Sequence, residues 1–333
     1  MTSDRNVQVA FLEWIRENSK YGNSFTEELA ELLSISKDST YRRLRGETLL
    51  SFEETRKVSR HFQISLDNFM DLNADSVLFN LRTINNDSFT FKDYLLSIHD
   101  NLQTLNQFQN RRLIYAAKDI PLFHFYQFSA LSNFKTYFWL RTILNSPDHQ
   151  QDTYHPSLVD PEISKITTSI WQKYLVTPSI EIWSDETVNV TLRQIEFYFD
   201  NGFLTKEQMG PIVADFSNMI KLIKLEARLG KKILFGNEDS GMRDSYQLYY
   251  NEISISDNTI FFSMDGFQMV YKPFNMLNIL NTADKSFCED TEKYLNNIII
   301  KSIPMSVASA KVRNQFFNRI DKKVNHLIQK FGL

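Results

Sequence analysis

The side chains best able to do chemistry are concentrated between Ser34 and Gly46, in "SISKDSTYRRLRG". Lys37, Arg42, Arg43 and Arg45 are interleaved there with Ser36, Ser39, Thr40 and Tyr41. Cationic groups beside hydroxyls bind phosphate oxygens, and an arginine can hold a guanine edge through two parallel hydrogen bonds. The chemistry indicated is nucleic-acid binding rather than catalysis. A solvated basic helix face is the other reading of the same residues. The arginines alone do not separate the two; the residues that fix the buried face do.

The elements that must position this stretch are short helices. Val9, Leu12 and Ile15 form one apolar stripe, flanked by Phe11 and Trp14. Ser24-Phe25-Thr26-Glu27 has the spacing of a capping box and opens a helix carrying Leu29, Ala30, Leu32 and Leu33. Ser36 is placed to cap a helix over Lys37 to Arg45, with Gly46 ending it. Ser51-Phe52-Glu53-Glu54 is a second capping box, and its helix carries Phe52, Val58 and Phe62. A last short helix starts with Ser65 as its cap. Nine residues from Lys37 to Arg45 give a helix of roughly 13 Å, short enough for a major groove ~12 Å wide.

The window from Thr26 to Gly46, "TEELAELLSISKDSTYRRLRG", resembles the helix-turn-helix of the lambda repressor-like (XRE-type) regulator family, and the resemblance spans roughly residues 5–72. It implies that Thr26 opens the first helix, with Leu29 and Leu33 facing its core. Ala30 then sits where the two helices approach most closely, and Ile35 plugs the turn. Thr40 and Leu44 anchor the second helix. Ser34 stands where the family usually has Gly, and Arg43 where an apolar residue is common. With Thr40 and Leu44 turned inward, Lys37, Asp38, Tyr41 and Arg42 are the base-edge candidates. Asp38, four residues before Arg42, could orient it or accept from a cytosine amino group. Thr26, Ser36, Ser39, Arg43, Arg45 and Thr48 are the phosphate candidates.

Charge supports a local patch rather than a bulk effect. Net charge is −3 over the chain, and residues 1–75 hold 10 Lys and Arg against 13 Asp and Glu. Residues 36–60 reverse this, with 7 against 4. Such a domain should bind DNA through a few contacts and a dimer rather than through bulk attraction.

The rest of the chain is read as a separate domain: residues 1–75 bind DNA, 76–86 link, and 87–333 regulate and dimerise. Phe91 to Phe108 is helical, and Arg111 to Ala117 could be a strand. Val188, Leu192, Ile195 and Phe199 form a helical stripe after Ser184-Asp185-Glu186. Thr205 to Gln208 is a third capping box, with Pro211 expected to kink or delay its helix. Residues 246–272 read as a three-stranded antiparallel meander. Helices near 285–301 and 306–330 close the chain, the last with Val312, Phe316, Ile320, Val324 and Ile328 in register. That stripe suits either core or a dimer seam. The expected fold class is mainly α: a five-helix DNA-binding domain plus a larger α+β domain, mostly helical, with a small antiparallel meander.

Other functions find little support. The single Cys288 fits a reducing compartment, and neither a signal peptide nor a run of ~20 apolar residues occurs, so a cytoplasmic protein is expected. His149 and His155 lie near Asp148 and Asp152 without metal-site spacing. No phosphate-binding glycine loop or hydrolase elbow appears, so neither enzyme, cofactor nor metal is expected. Arg111-Arg112, Lys231-Lys232 and Lys322-Lys323 read as solvated pairs. Arg141, Glu181, Trp183, Arg193 and Glu196 are the residues that could line an effector pocket for a small molecule or peptide. The sequence thus points to a transcriptional regulator acting on double-stranded DNA as a homodimer, of a kind with long extensions in bacteria. The alternative is a protein-interaction or antitoxin-like module.

Overall fold

In the computed structural model, residues 7–18, 24–62, 64, 66–70, 76–84, 89–150, 153–253, 255–274, 277–307 and 309–333 are described. Their contacts divide the chain into two compact units, Met1–Leu78 and Phe79–Leu333.

The first unit is built from amphipathic helices around one small core. They are α1 (Val7–Asn18), α2 (Phe25–Leu33), α3 (Lys37–Leu44), α4 (Phe52–His61) and α5 (Leu66–Phe69). Phe11, Leu12 and Ile15 of α1 meet Phe25, Leu29 and Leu33 of α2 and Val58 of α4, with Ile35, Leu44, Phe62 and Phe69 packed around them. Trp14 flanks the stripe, half-exposed. Phe52 departs from the expected α4 stripe and is 84% exposed. It opens α4, before the helix has turned its apolar face inward. Ser51 and Glu54 close the expected capping box. Ser24 does not: it makes no side-chain cap bond, because its backbone is not in the extended conformation that aims the hydroxyl at the helix. The proposed Ser65 cap lies outside the described residues.

The second unit corrects the expected fold class. It is an α/β fold, not a mainly α protein with a small meander: an eight-stranded mixed sheet runs through the described residues. The strands are β1 (Asn80–Arg82), β2 (Arg111–Ala117), β3 (Ser179–Trp183), β4 (Tyr246–Tyr250), β5 (Thr259–Met264), β6 (Phe267–Phe274), β7 (Asn278–Thr282) and β8 (Ile303–Pro304). Their order is β1-β7-β6-β5-β2-β3-β4-β8. The centre, β2-β3-β4, is parallel, and the remaining pairs are antiparallel. Parallel neighbours need long crossovers. Here α7 (Ser129–Phe138) and α8 (Pro161–Leu175) fall between β2 and β3, and α9 (Asn189–Asp200) and α10 (Lys206–Leu229) between β3 and β4.

The antiparallel run lies one strand later than the expected 246–272 meander. Tyr246 to Tyr250 pairs with β3, while β5, β6 and β7 form the antiparallel run. Residues 80–82, read as linker, form an edge strand on β7. α10 starts at Lys206 from a formed Thr205–Gln208 box and carries Pro211 inside it.

The sheet separates two apolar layers. Leu113, Tyr115, Trp183, Tyr246 and Leu248 share one core with α6 (Phe91–Leu105), α7, α8, α9, α10 and α12 (Ala310–Phe331). Ile114, Ala116, Ile182, Phe261 and Val270 share the other with Cys288 and Leu295 of α11 (Lys285–Lys301). Phe316, Ile320 and Val324 of α12 lie in the first core, so that stripe packs within the chain.

Candidate nucleic-acid interface

Everything about α3 depends on the turn before it. Ser34 leaves α2 in the left-handed region at φ 54°, ψ 46°, where glycine is the easier residue. That conformation lets Ser34 N donate to Glu31 O and Ile35 N to Ala30 O, at 3.1 and 3.0 Å. Ile35 then packs into the core. Ser36 is extended, and its side chain accepts from Ser39 N at 3.2 Å, satisfying one of the free N–H groups that open α3. Thr40 is fully buried and donates to Ser36 O at 3.1 Å; Ala30 is buried too. Gly46, at φ 73°, carries the chain out of the helix. Gln8 ties this exit to α1: its amide donates to Arg43 O and Thr48 O, and its carbonyl accepts from Leu50 N.

With Thr40 inward, the opposite face is open to solvent. Lys37, Asp38, Tyr41, Arg42 and Arg45 are exposed, as is Ser36; Thr26, Ser39, Arg43 and Thr48 are half-buried. The structure therefore gathers the base-edge candidates on one face of α3 and its first turn. No hydrogen bond joins Asp38 to Arg42; Asp38 instead contributes to the field at Arg45.

Arg43 is the phosphate candidate that behaves differently. Its guanidinium turns back over the domain, bonding Glu54 at 2.8 Å and donating to Ser39 O at 3.3 Å. Glu54 is also the N3 member of the α4 capping box. Burial would raise its pKa, but the Ser51 backbone N–H and Arg43 together hold it below its ordinary value. Arg43 thus joins α3 to α4.

Sequence reasoning missed three glutamates. Lys37 is bonded to Glu27, which raises the lysine pKa and lowers the carboxyl, the hydrogen bond being the largest cause. Arg45 forks onto Glu47 with contacts of 2.6 and 3.0 Å, and Arg42 Nε lies 3.9 Å from the same carboxylate. Glu54, the third, holds Arg43. Glu47 could have been found from its place two residues after Arg45; Glu27 required knowing how α2 meets α3.

The second unit holds a buried polar centre. Glu181, on β3, accepts from Trp183 Nε1 at 2.8 Å, Tyr246 hydroxyl at 3.1 Å and the Tyr174 hydroxyl, and His124 Nε2 faces it at 2.8 Å. Burial opposes its charge, but His124 leads the groups that outweigh burial and lower its pKa. Lys232, expected as part of a solvated pair, is fully buried. Its ammonium donates to Ser179 Oγ at 2.6 Å and to Thr177 O, and lies 4.1 Å from the Tyr174 ring centre. Glu226 accepts from Ile233 N at 2.9 Å, while its Oε2 has no partner.

Of the five effector-pocket candidates, only Glu181 and Trp183 are brought together here. Arg193 is held by Glu186 and Glu196 by Lys330, both near the surface, and Arg141 donates to His149 O at 2.6 Å. A half-open cleft of about 190 Å³ beside β4 and β8 is lined by Asp244, Tyr246, Gln247 and Ser306 among others, and by none of the five. Among the described residues no group of three His, Cys, Asp or Glu could hold a metal ion, and no helix is long and apolar enough to cross a membrane. Cys288 is buried, and burial pushes its thiol up to about 11, away from nucleophilic chemistry. Comparisons with protein-family models, with curated proteins and with solved structures give no match to this chain.

Proposed function

We propose that the chain is a sequence-specific DNA-binding transcriptional regulator of the lambda repressor-like kind, with α3 as its major-groove helix. One observation carries the reading: Thr40 is fully buried while Lys37, Asp38, Tyr41 and Arg42 are exposed on the opposite side of the same short helix, with Arg45 exposed at its C-cap. Lys37, Asp38, Tyr41 and Arg42 read base edges. Thr26, Ser36, Ser39, Arg45 and Thr48 fix the register on phosphates. Arg43 keeps the helix seated. Eight helical residues reach few base pairs, so two copies on half-sites one turn of DNA apart supply the specificity, and residues 79–333 provide the dimer contact. The role is non-catalytic and places the protein in the cytoplasm with its DNA.

Arg42→Ala should lower affinity for the cognate site by ~1–3 kcal/mol and relax preference at one base pair. Lys37→Ala should weaken binding as well. Gel shifts at matched salt measure both; unchanged affinity in both variants would remove α3 as the reading helix. A second reading, a protein-binding module, is favoured by the exposure of Leu49 and Phe52, at 71% and 84%, just after α3. Leu49→Ser/Phe52→Ser should leave DNA affinity intact if the first reading holds.

A further inference from the structure

All four basic side chains on or just after α3 are already paired with carboxylates: Lys37 with Glu27, Arg42 and Arg45 with Glu47, Arg43 with Glu54. The pairs are of two kinds. Glu54 is mostly buried, 18% exposed, and accepts from Ser51 N at 2.8 Å as well as from Arg43. It cannot swing away without uncapping α4. Glu27 and Glu47 have 64% and 47% of their side chains exposed. Exposed pairs of this sort are weak, so a phosphate oxygen can take the place of either carboxylate.

Resting on the DNA-binding reading above, we propose that Glu27 and Glu47 are specificity-determining counter-charges. In the free protein they cancel the cations that would hold any duplex. Once a phosphate displaces them, they remain beside a polyanion and repel it whatever its sequence. Only a site whose base edges bond Lys37 and Arg42 offsets that repulsion. There the same glutamates also hold the two cations in position, so they cost less at the right sequence than at a wrong one. Discrimination arises from a repulsive element set against wrong partners.

The test uses the full chain, a cognate duplex selected from random DNA, and a scrambled duplex of equal length. Affinities are measured against potassium chloride concentration for the wild type and for the Glu27→Gln/Glu47→Gln double variant. A Glu289→Gln/Asp290→Asn double variant on α11 matches the change in net charge. The Glu27/Glu47 variant should bind scrambled DNA about tenfold more tightly at 0.1 M salt, with a steeper salt slope. Its gain on the cognate duplex should be smaller, so the ratio between the two falls; the α11 variant should change neither. Equal gains on both duplexes, or no gain on the scrambled one, overturn the proposal while leaving the DNA-binding reading in place. A wild-type chain that binds no duplex at any salt overturns the reading and the proposal together.

Discussion

Ser34 is the residue at which the turn before α3 is least well served by its side chain. It has a Cβ in the left-handed region, and nothing in the turn's two backbone bonds uses that side chain. Ser34→Gly should therefore raise the stability of the first unit by ~0.5–1 kcal/mol, read from urea unfolding. A loss of stability would mean that the serine hydroxyl matters to the turn. Glu226 poses the opposite problem, a carboxyl with one oxygen unpartnered inside the second unit. Burial is the largest cause, and its pKa is raised to about 7. A raised carboxyl pKa means that the folded chain binds the proton more tightly than the unfolded one. Its contribution is full below about pH 4.5 and is lost as pH rises towards 7. Glu226→Gln keeps an oxygen for Ile233 N without the ionisation. The variant should thus gain on the wild type by roughly 1–3 kcal/mol between pH 5 and pH 8. Unfolding at the two pH values measures this; a constant difference would show that Glu226 is not held protonated.

At the level of elements, the loop after α10 shows how the buried centre is held. Gly241 has φ 83°, and a Cβ there would lie 1.8 Å from Lys232 O, a backbone atom that cannot turn aside. Gly241→Ala should lower stability by about 3 kcal/mol or more, because it displaces the residue whose ammonium satisfies Thr177 O and Ser179 Oγ. A melting temperature equal to wild type would contradict this packing. The elements also explain what could be read in advance. α3 and its neighbours were legible because caps, small residues and apolar spacing are local: Ser36, Thr40 and Gly46 all act within a few residues. β3 was not. Ser179, Glu181 and Trp183 face one side and Ile180 and Ile182 the other, so a buried carboxylate alternates with isoleucine as it would on an exposed strand. Its partners, His124 and Tyr246, come from positions far along the chain. β4 had the alternation of a hairpin strand but pairs in parallel with β3, and register across a crossover leaves no short-range trace. Lys232 looked solvated because its neighbour is Lys231; only the fold shows that it points inward.

At the scale of the whole molecule, the chain falls into two compact units. One presents a short helix whose buried face is fixed by Thr40 and whose open face carries Lys37, Asp38, Tyr41 and Arg42, with Arg45 at its C-cap. The other is an α/β unit with a satisfied carboxylate at Glu181 in its core. On the proposed DNA-binding function, a chain with a net charge of −3 and counter-charged cations on α3 should bind DNA by sequence and by pairing of copies, not by bulk attraction. The most direct measurement is selection of bound duplexes from a random library by the full-length protein, at salt near 0.15 M. The account predicts one enriched motif arranged as two half-sites about one helical turn apart, and no enrichment when Lys37 and Arg42 are both replaced by alanine. Recovery of an unenriched library by the wild-type chain, or the same motif from the alanine variant, would contradict it.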